Sequence, residues 1–532
     1  MCDKTRLLTN TGQELRLFKK LLVANRGEIA LRVMRTCREM GIATVAVYST
    51  VDRDMLHVRY ADEAYHIGEG PPLESYLNYE KILSVAKAAG VDAVHPGYGF
   101  LSERTEFARA CADAGITFVG PSPEAVTLLG DKVTARRTMM AAGVPVVPGT
   151  EGRVSPDEAL SLAPGVGFPL MIKAAAGGGG KGIRLVKNES EIESAVRMAS
   201  SEAQSAFGDG GVFLERYMSP VRHVEVQLLA DQHGNAVALG ERECSVQRRH
   251  QKLLEESPSP VVKQETREKM MAAAVAAAKA SGYYNAGTCE FLFDPGTQEF
   301  FFLEVNTRLQ VEHPVTEWLT GRDLVRDQIR IAAGEPLGFT QDDVELRGHA
   351  IECRIAAEDP YNNYLPSLGR IDFVSEPSGP GVRVDSSIFS GVEIPYFYDP
   401  MLAKLICWGR DRTQAIERMK RALREYVILG IQSNIPFHLQ LLDDPRFVAG
   451  EVHTGFLDSE FKMNEPADAS EGERIALLVA AVMAHERRSR NGAQPAVLHG
   501  PANTWREAGR DRLLHGQKSA GQQGSRWRRS TG

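Results

Sequence analysis

Cysteine is sparse: the seven residues (Cys2, Cys37, Cys111, Cys244, Cys289, Cys353, Cys407) are scattered along 532 positions, and no CxxC pair occurs. This excludes a disulfide scaffold and a zinc-ribbon framework and suits reduced thiols. No apolar run approaches the ~20 residues of a membrane span. The opening MCDKTRLLTNTGQELRLFKK has no apolar core of a secretory signal, and it carries Asp3 and Glu14, unlike a transit peptide. The expected compartment is the cytoplasm, with no membrane partner. Positive charge is not in excess either: 62 Lys and Arg against 69 Asp and Glu leave −7, which gives no footprint for nucleic acid. Internal repeats are absent.

What is there is an ordinary globular composition, 43% hydrophobic and 25% charged, with length for roughly three to four domains of ~150 residues. From Phe18, strand and helix patterns alternate: KKLLVA, the turn NRGE, the helix IALRVMRTCREM ended by Gly41, the strand ATVAVYS, the helix NYEKILSVAKAAG and the strand VDAVHP. Such alternation predicts an α/β fold opening on a doubly wound parallel sheet, over residues 18–130. Ligands of such sheets gather at the carboxyl ends of the strands, where NRGE and HPGYGFLSE fall. The first turn is not GxGxxG, which argues against a dinucleotide dehydrogenase. Residues 131–217 open with a single helix over LLGDKVTARRTMMAAG, then the strand FPLMIKA, the run GGGGKG and the strand IRLV. Residues 218–464 mix strands such as RHVEVQLLA and FFFLEVN with helices such as RTQAIERMKRALREY.

The glycine run lies between two strands, so it is no Walker A loop, which needs Lys-Ser/Thr opening a helix. It reads as a phosphate-covering hairpin with Lys173 before it and Lys181 within it. A flexible linker is an equally good reading of the glycines alone. The segment GTCEFLFDPGTQEFFFLEVNTR says more. Two apolar strands flank a Pro-Gly turn, and if Asp294 pairs with Phe300, Glu290 lies directly opposite Glu304. Facing carboxylates destabilise a sheet unless a cation sits between them, and Mg²⁺ against polyphosphate oxygens fits. Asn306, Arg308 and Gln310 continue that face if the strand runs on. RLQVEHP then groups Arg308, Gln310, Glu312 and His313, an arginine fork for a small planar oxyanion beside a carboxylate able to take its proton. QRRHQK adds Gln247, His250 and Lys252, and ECRIAAEDP places Arg354 among apolar neighbours, where a charge requires a partner.

In unbroken order from about Phe18 to Lys462, FKKLLVANRGEIALRV, HPGYGFLSE, GDKVTARR, KAAAGGGGKG, RHVEVQ, ERECSVQRRHQK, EFLF…FFFLEVNTRLQVEHPVTE, ECRIAAEDP and YDPMLAKLI resemble the biotin carboxylases of the ATP-grasp superfamily. The resemblance implies an ATP-grasp lid in residues 131–217 and a core with the family's C-terminal domain in residues 218–464. It implies ATP-dependent carboxylation of biotin by bicarbonate through carboxyphosphate, with Mg²⁺ (or Mn²⁺). Carried over by position, Lys132 and Lys173 contact ATP phosphates, and Gly177, Gly178, Gly179 and Gly180 form the lid over them. Glu215 meets the adenine, His223 the ribose, and Gln247 and His250 the nucleotide side. Glu290 and Glu304 are the metal ligands with Asn306 beside them. Lys252, Arg308, Gln310 and Val311 line the bicarbonate pocket, Glu312 is the base, and Arg354 stabilises the biotin enolate. Arg104 and Thr105 depart from the family, which has Asn and a small residue after LSE, next to the biotin-side Tyr98 and Glu103.

The partners implied are a biotin carboxyl carrier protein or domain, a second copy in a homodimer, and a carboxyltransferase subunit. The final acceptor, whether acetyl-CoA, propionyl-CoA, another acyl-CoA or pyruvate, belongs to the carboxyltransferase and stays open. Another ATP-grasp carboxylate–amine ligase has no reason to carry RLQVEHP with QRRHQK. A silent scaffold subunit should have lost a metal or bicarbonate residue, and none is lost. Cys244 reads as a buried inert thiol. Met419-Lys420 sits in a helical pattern and not in the exposed hairpin of a biotin acceptor. Residues 465–532 read as a docking segment: Ile475, Leu478, Val479, Val482 and Met483 form an apolar helical stripe, which suits either a partner or the chain's own third region. PANTWREAGRDRLL resembles the start of the segment before the carrier in single-chain acyl-CoA carboxylase α subunits. The last stretch, HGQKSAGQQGSRWRRSTG, is expected to be disordered.

Overall fold

The computed structural model describes residues 6–8, 14–174, 183–207, 210–465, 475, 478–480 and 482–483. The chain divides into two units, Met1–Lys462 and Met463–Gly532. In the first unit, a five-stranded sheet runs in the order Glu63–Gly68, Ala43–Ser49, Lys20–Val23, Ala93–His95, Thr117–Phe118, every pair parallel. Its strands are apolar on both faces because both faces are covered. Leu21, Val23 and Ala46 enter one buried cluster, while Leu22, Val45 and Val47 enter another on the opposite side. This is the doubly wound sheet that the strand–helix alternation predicts.

The carboxyl ends of its central strands carry the two expected turns, tied together. Asn25 Nδ2 donates to the carbonyls of Pro96 and Tyr98, both at 2.8 Å. Gly97 has φ +65°, and a Cβ there would stand 2.8 Å from that same Asn25 amide. Glycine is therefore dictated by the turn itself.

Helix Pro123–Gly130 stops at Asp131, and a second helix, Lys132–Ala141, begins at once. The single helix read from the pattern is thus two. Asp131 accepts a hydrogen bond from Thr134 N at 2.7 Å and caps the second helix, leaving Lys132 as its first residue. A small sheet follows in the order Val212–Arg216, Leu170–Ala174, Ile183–Val186, packed on helices Pro156–Val166 and Ile192–Phe207 through Ala159, Ile172, Val196 and Leu214. The glycines 177–180 and Lys181 lie outside the described residues.

The largest element is an antiparallel sheet of eight strands: Phe300–Asn306, Asn285–Phe293, Arg222–Ala230, Ala236–Arg248, Gln251–Ser257, His349–Ala356, Met401–Gly409 and Val382–Ser386. Helix Arg412–Glu425 covers part of it and buries Met419, so Met419-Lys420 lies within a helix, with Met419 in the core and Lys420 paired with Asp443. In the second unit the described residues 475, 478–480 and 482–483 are helical, and Ile475, Leu478, Val479, Val482 and Met483 are exposed. The tail expected to be disordered lies outside the described residues. Among the described residues no helix is long and apolar enough to cross a membrane.

Candidate active site

The site is built on one face of the eight-stranded sheet. In the hairpin of strands Asn285–Phe293 and Phe300–Asn306, Phe293 pairs with Phe300, one residue off the alignment of Asp294 with Phe300 read from the turn. A bulge then admits Leu303 as an extra residue, and beyond it Glu290 does stand opposite Glu304. The facing carboxylates are real, and the bulge is what brings them together. Their environments differ. Glu290 is buried; burial alone would raise its carboxyl, but Lys252 and His223 hold it well below the usual carboxylate range. Its Oε1 accepts from Lys252 Nζ, Asn306 Nδ2 and Gln310 Nε2, each at 2.9 Å, and Oε2 lies 2.9 Å from His223 Nε2. Glu304 opens onto a cleft of about 390 Å³ lined also by Lys132, Glu103, Phe302 and Asn306. Protein on its other sides, and then the facing Glu290, raise its carboxyl.

Lys252 is the hub. Its Nζ reaches Glu225 Oε2 at 2.6 Å, Glu290 Oε1 at 2.9 Å and Glu312 Oε1 at 2.8 Å. Burial works against its charge, yet these three carboxylates raise it well above the ordinary lysine value. Glu312 is buried, and its other oxygen accepts from Arg354 Nη2 at 2.9 Å. Burial would raise Glu312, but Lys252 and Arg354 hold it well below the carboxylate range, so it is an anion. Arg354 is anchored in turn through Nε to Glu255 Oε1 at 2.6 Å.

The strand ends at Asn306, so Arg308 and Gln310 do not continue its face as read from the sequence. They arrive from the loop before helix His313–Thr320. The loop is tied at several points. Thr307 N donates to Glu103 Oε1 at 3.1 Å, and Arg308 Nε lies 3.2 Å from Glu103 Oε2. Arg308 Nη2 also donates to Asn306 Oδ1 at 2.9 Å. Lys404 Nζ donates to the Val311 carbonyl at 2.9 Å. Glu103 therefore reaches the Arg308 loop from HPGYGFLSE, and the Arg104 and Thr105 departures leave that contact intact.

Of the residues expected on the nucleotide side, Glu215 is buried between Lys173 Nζ at 2.5 Å and Arg136 Nη1 at 3.3 Å. Lys132 lines the Glu304 cleft. His223 sits against Glu290; burial lowers its imidazole, and the Glu290 charge outweighs this to raise it. Gln247 is buried and pairs across its ladder with Lys252, whereas His250 is exposed at the turn, with φ +63°. Cys244 is buried, and burial raises its thiol well above the usual value, which keeps it inert.

One fully enclosed group was not singled out from the sequence. Arg242 is fully buried, and all five of its N–H donors are used. They go to Glu225 Oε1 at 2.6 Å, Gln227 Oε1 at 2.7 Å, Thr316 Oγ1 at 3.0 Å, Thr288 Oγ1 at 3.1 Å and Gln310 Oε1 at 2.8 Å. The rule that singled out Arg354, a charge between apolar strand residues, applies equally to Glu225 in HVEVQ and would have found it.

The residues fit a divalent cation. Glu304 has no hydrogen-bond or ion-pair partner among the described residues, and it faces an ionised carboxylate whose Oε2 is held by His223 alone. A cation between them removes the repulsion that their register imposes.

Three family models match the chain: the biotin carboxylase N-terminal domain over residues 17–126, the carbamoyl-phosphate synthase L chain ATP binding domain over 131–340, and the biotin carboxylase C-terminal domain over 352–459. Biotin carboxylase 1 of Bacillus subtilis is 55% identical over 444 residues, covering 83% of this chain and 99% of its own. The biotin carboxylase of Nostoc sp. is 56% identical over 441 residues, covering 83% of this chain and 98% of its own. The biotin carboxylase domain of the Hydrogenobacter thermophilus 2-oxoglutarate carboxylase, solved as a dimer with MgADP, ADP and bicarbonate, superposes with a TM-score of 0.80 at 47% identity, over 85% of this chain and all of that one.

Proposed function

The chain belongs to the biotin carboxylase family, and from that premise we propose how its residues divide the ATP-dependent carboxylation of biotin by bicarbonate. The observation that carries the division is the buried file Glu290–Lys252–Glu312–Arg354, with alternating charge, running beside the Glu304 cleft. Arg308, Gln310, Lys252 and the Val311 backbone hold bicarbonate. Glu312, kept ionised by Lys252 and Arg354, takes its proton. The resulting oxyanion attacks the γ-phosphate of ATP, breaking the bond to ADP and forming carboxyphosphate. Lys132 and Lys173 offset charge on the transferring phosphoryl group, and Gly177 to Gly180, outside the described residues, keep the lid role that the family resemblance implies. Glu215, His223, Gln247 and His250 hold the nucleoside side. Glu290, Glu304 and Asn306 hold Mg²⁺ or Mn²⁺, which supplies positive charge against the phosphate oxygens. Carboxyphosphate then breaks into CO₂ and phosphate, phosphate takes the ureido proton of biotin, and Arg354 stabilises the enolate that attacks CO₂. The biotin is carried by a carrier protein or domain, the carboxyl group passes to a carboxyltransferase, and the chain works as a homodimer.

The test measures ATP cleavage and biotin carboxylation side by side. ATP cleavage should require bicarbonate and Mg²⁺ and rise on adding free biotin. Equal cleavage in bicarbonate-free buffer would overturn the proposal. Arg354→Ala should lower biotin carboxylation roughly tenfold more than bicarbonate-dependent ATP cleavage, because the guanidinium faces the enolate alone in the second stage and in the first only shares with Lys252 the holding of Glu312. Parallel loss of both activities would refute that assignment.

A further inference from the structure

Behind Arg354 lies a second pair of facing carboxyl groups. Strands Gln251–Ser257 and His349–Ala356 set Glu255 directly opposite Glu352, hence on one face of the sheet. Both residues have no exposed surface. Glu255 Oε1 accepts from Arg354, but its Oε2 and both oxygens of Glu352 have no hydrogen-bond partner among the described residues.

The cations nearby are already committed. Arg354, two residues along from Glu352, serves Glu255 and Glu312. Lys404, opposite Arg354 on the next strand, donates to the Val311 carbonyl and lies 3.5 Å from Glu28 and 3.8 Å from Asp385. Helix Arg412–Glu425 packs on these strands too, but Arg412 is spent on Glu256, Arg418 on the Trp408 carbonyl, Lys420 on Asp443 and Arg421 on Glu425. From helix His313–Thr320, His313 is kept uncharged by burial and by Lys404, and Glu317 is engaged by Arg32 and Arg383. A dry pair of carboxyl groups without a free cation cannot hold two negative charges.

We propose that Glu255 and Glu352 share one proton, and that this acid–carboxylate pair is a positioning device for Arg354. Glu255 stays the anion that orients the guanidinium, and Glu352 stays the neutral acid that donates to the free oxygen of Glu255. With only one charge in the pair, Arg354 is anchored without being over-neutralised, which leaves positive charge for the biotin enolate. The directions of titration agree. Burial pushes Glu352 well above the carboxyl range, with Lys404 only partly offsetting it, and burial likewise pushes Glu255 up.

The inference rests on Arg354 acting on biotin, so the experiment has one arm independent of that assignment. Infrared difference spectra of the full chain at about pH 7.5, where an ordinary carboxyl is ionised, should show a protonated-carboxyl C=O stretch that Glu352→Gln removes. No such band would overturn the shared proton, whatever Arg354 does. In the kinetic arm, Glu352→Ala should lower kcat for biotin carboxylation roughly ten- to hundredfold through misplacement of the guanidinium, and bicarbonate-dependent ATP cleavage much less. Glu352→Gln keeps the shape and neutrality of the acid and should recover most of that loss. It should also remove the fall in biotin carboxylation that the wild type shows as rising pH strips the shared proton. If Gln is as damaging as Ala, or both activities fall in parallel, the positioning role is wrong. The band alone then concerns the pair and not Arg354.

Discussion

The two large sheets of the first unit both bury their inner strands and do so with opposite chemistry. The parallel sheet hides Leu21, Leu22, Val23, Val45, Val47 and Val94 with no charged side chain among them. The eight-stranded sheet hides Glu225, Arg242, Glu255, Glu352 and Lys404 as deeply, and Glu290 nearly so. A dry apolar strand is stabilised by removing its surface from water. A buried ion pair is not a net source of stability, because desolvating both charges offsets their attraction. A sheet that keeps so many buried ionisable groups, most of them paired with another, is therefore arranged for chemistry, and its stability depends on those pairings staying intact.

Breaking the pairing should have the largest effect. Arg242→Ala leaves Glu225 with Lys252 as its one remaining cation and withdraws donors from Gln227, Thr288, Gln310 and Thr316 at once. Losing one partner of a buried charge pair costs about 3–5 kcal/mol. Leu22→Ala in the parallel sheet should cost a similar ~2–5 kcal/mol through transfer and cavity terms. The comparison is sharpened by what remains folded. Urea titration should rank the two variants alike, while activity per folded molecule survives in Leu22→Ala and collapses in Arg242→Ala. Equal specific activity in both would show that Arg242 is only packing.

Acid should probe the same contrast more gently. Glu256 accepts from Arg412 at 2.6 and 3.0 Å and lies 2.7 Å from His349. Burial would raise its carboxyl, but Arg412 and His349 bring it down to about 2, from an ordinary 4.5. A depressed folded pKa contributes stability that is fully present above about pH 4.5 and is lost as pH falls toward 2, at most about 3 kcal/mol for a shift of this size. Glu256→Gln should lose that contribution at neutral pH and show a shallower decline below pH ~4.5 in urea midpoints. A variant with the wild-type acid profile would place the acid sensitivity elsewhere.

What could be read beforehand follows the same divide. The parallel sheet is legible because its strands are short apolar runs between periodic helices and its turns carry glycine. Glu290 opposite Glu304 was legible for a reason that was partly wrong: the turn is one residue out of the expected register, and the Leu303 bulge restores the pairing. The break at Asp131 was missed because KVTARRTMM continues the helical period across it, and only the cap geometry marks the boundary. Arg308 and Gln310 look like strand continuation in a linear pattern, because nothing in RLQ announces that the ladder stops at Asn306. Arg242, Glu255 and Glu352 were invisible as a system, since each finds its partner on a different strand through pairings that no local spacing encodes.

The smallest effect should come from the second unit. Every residue assigned to the site lies within Met1–Lys462, and B. subtilis biotin carboxylase 1 matches this chain over 444 residues, 99% of its own length. The described residues beyond contribute exposed Ile475, Leu478, Val479, Val482 and Met483, an apolar stripe. The first unit carries its own buried clusters and the paired charges of the site. Deleting everything after Asn464 should therefore leave the carboxylation rate with free biotin within about twofold and the melting temperature within about 2 °C of the full chain. Such a truncation sits at the far end of the scale from Arg242→Ala, since it removes 68 of 532 residues (465–532) without unpairing one site charge. A truncated protein that loses biotin carboxylation while keeping its melting temperature would assign the second unit a part in the chemistry. One that fails to fold would mean that the eight-stranded sheet is not self-sufficient in its packing.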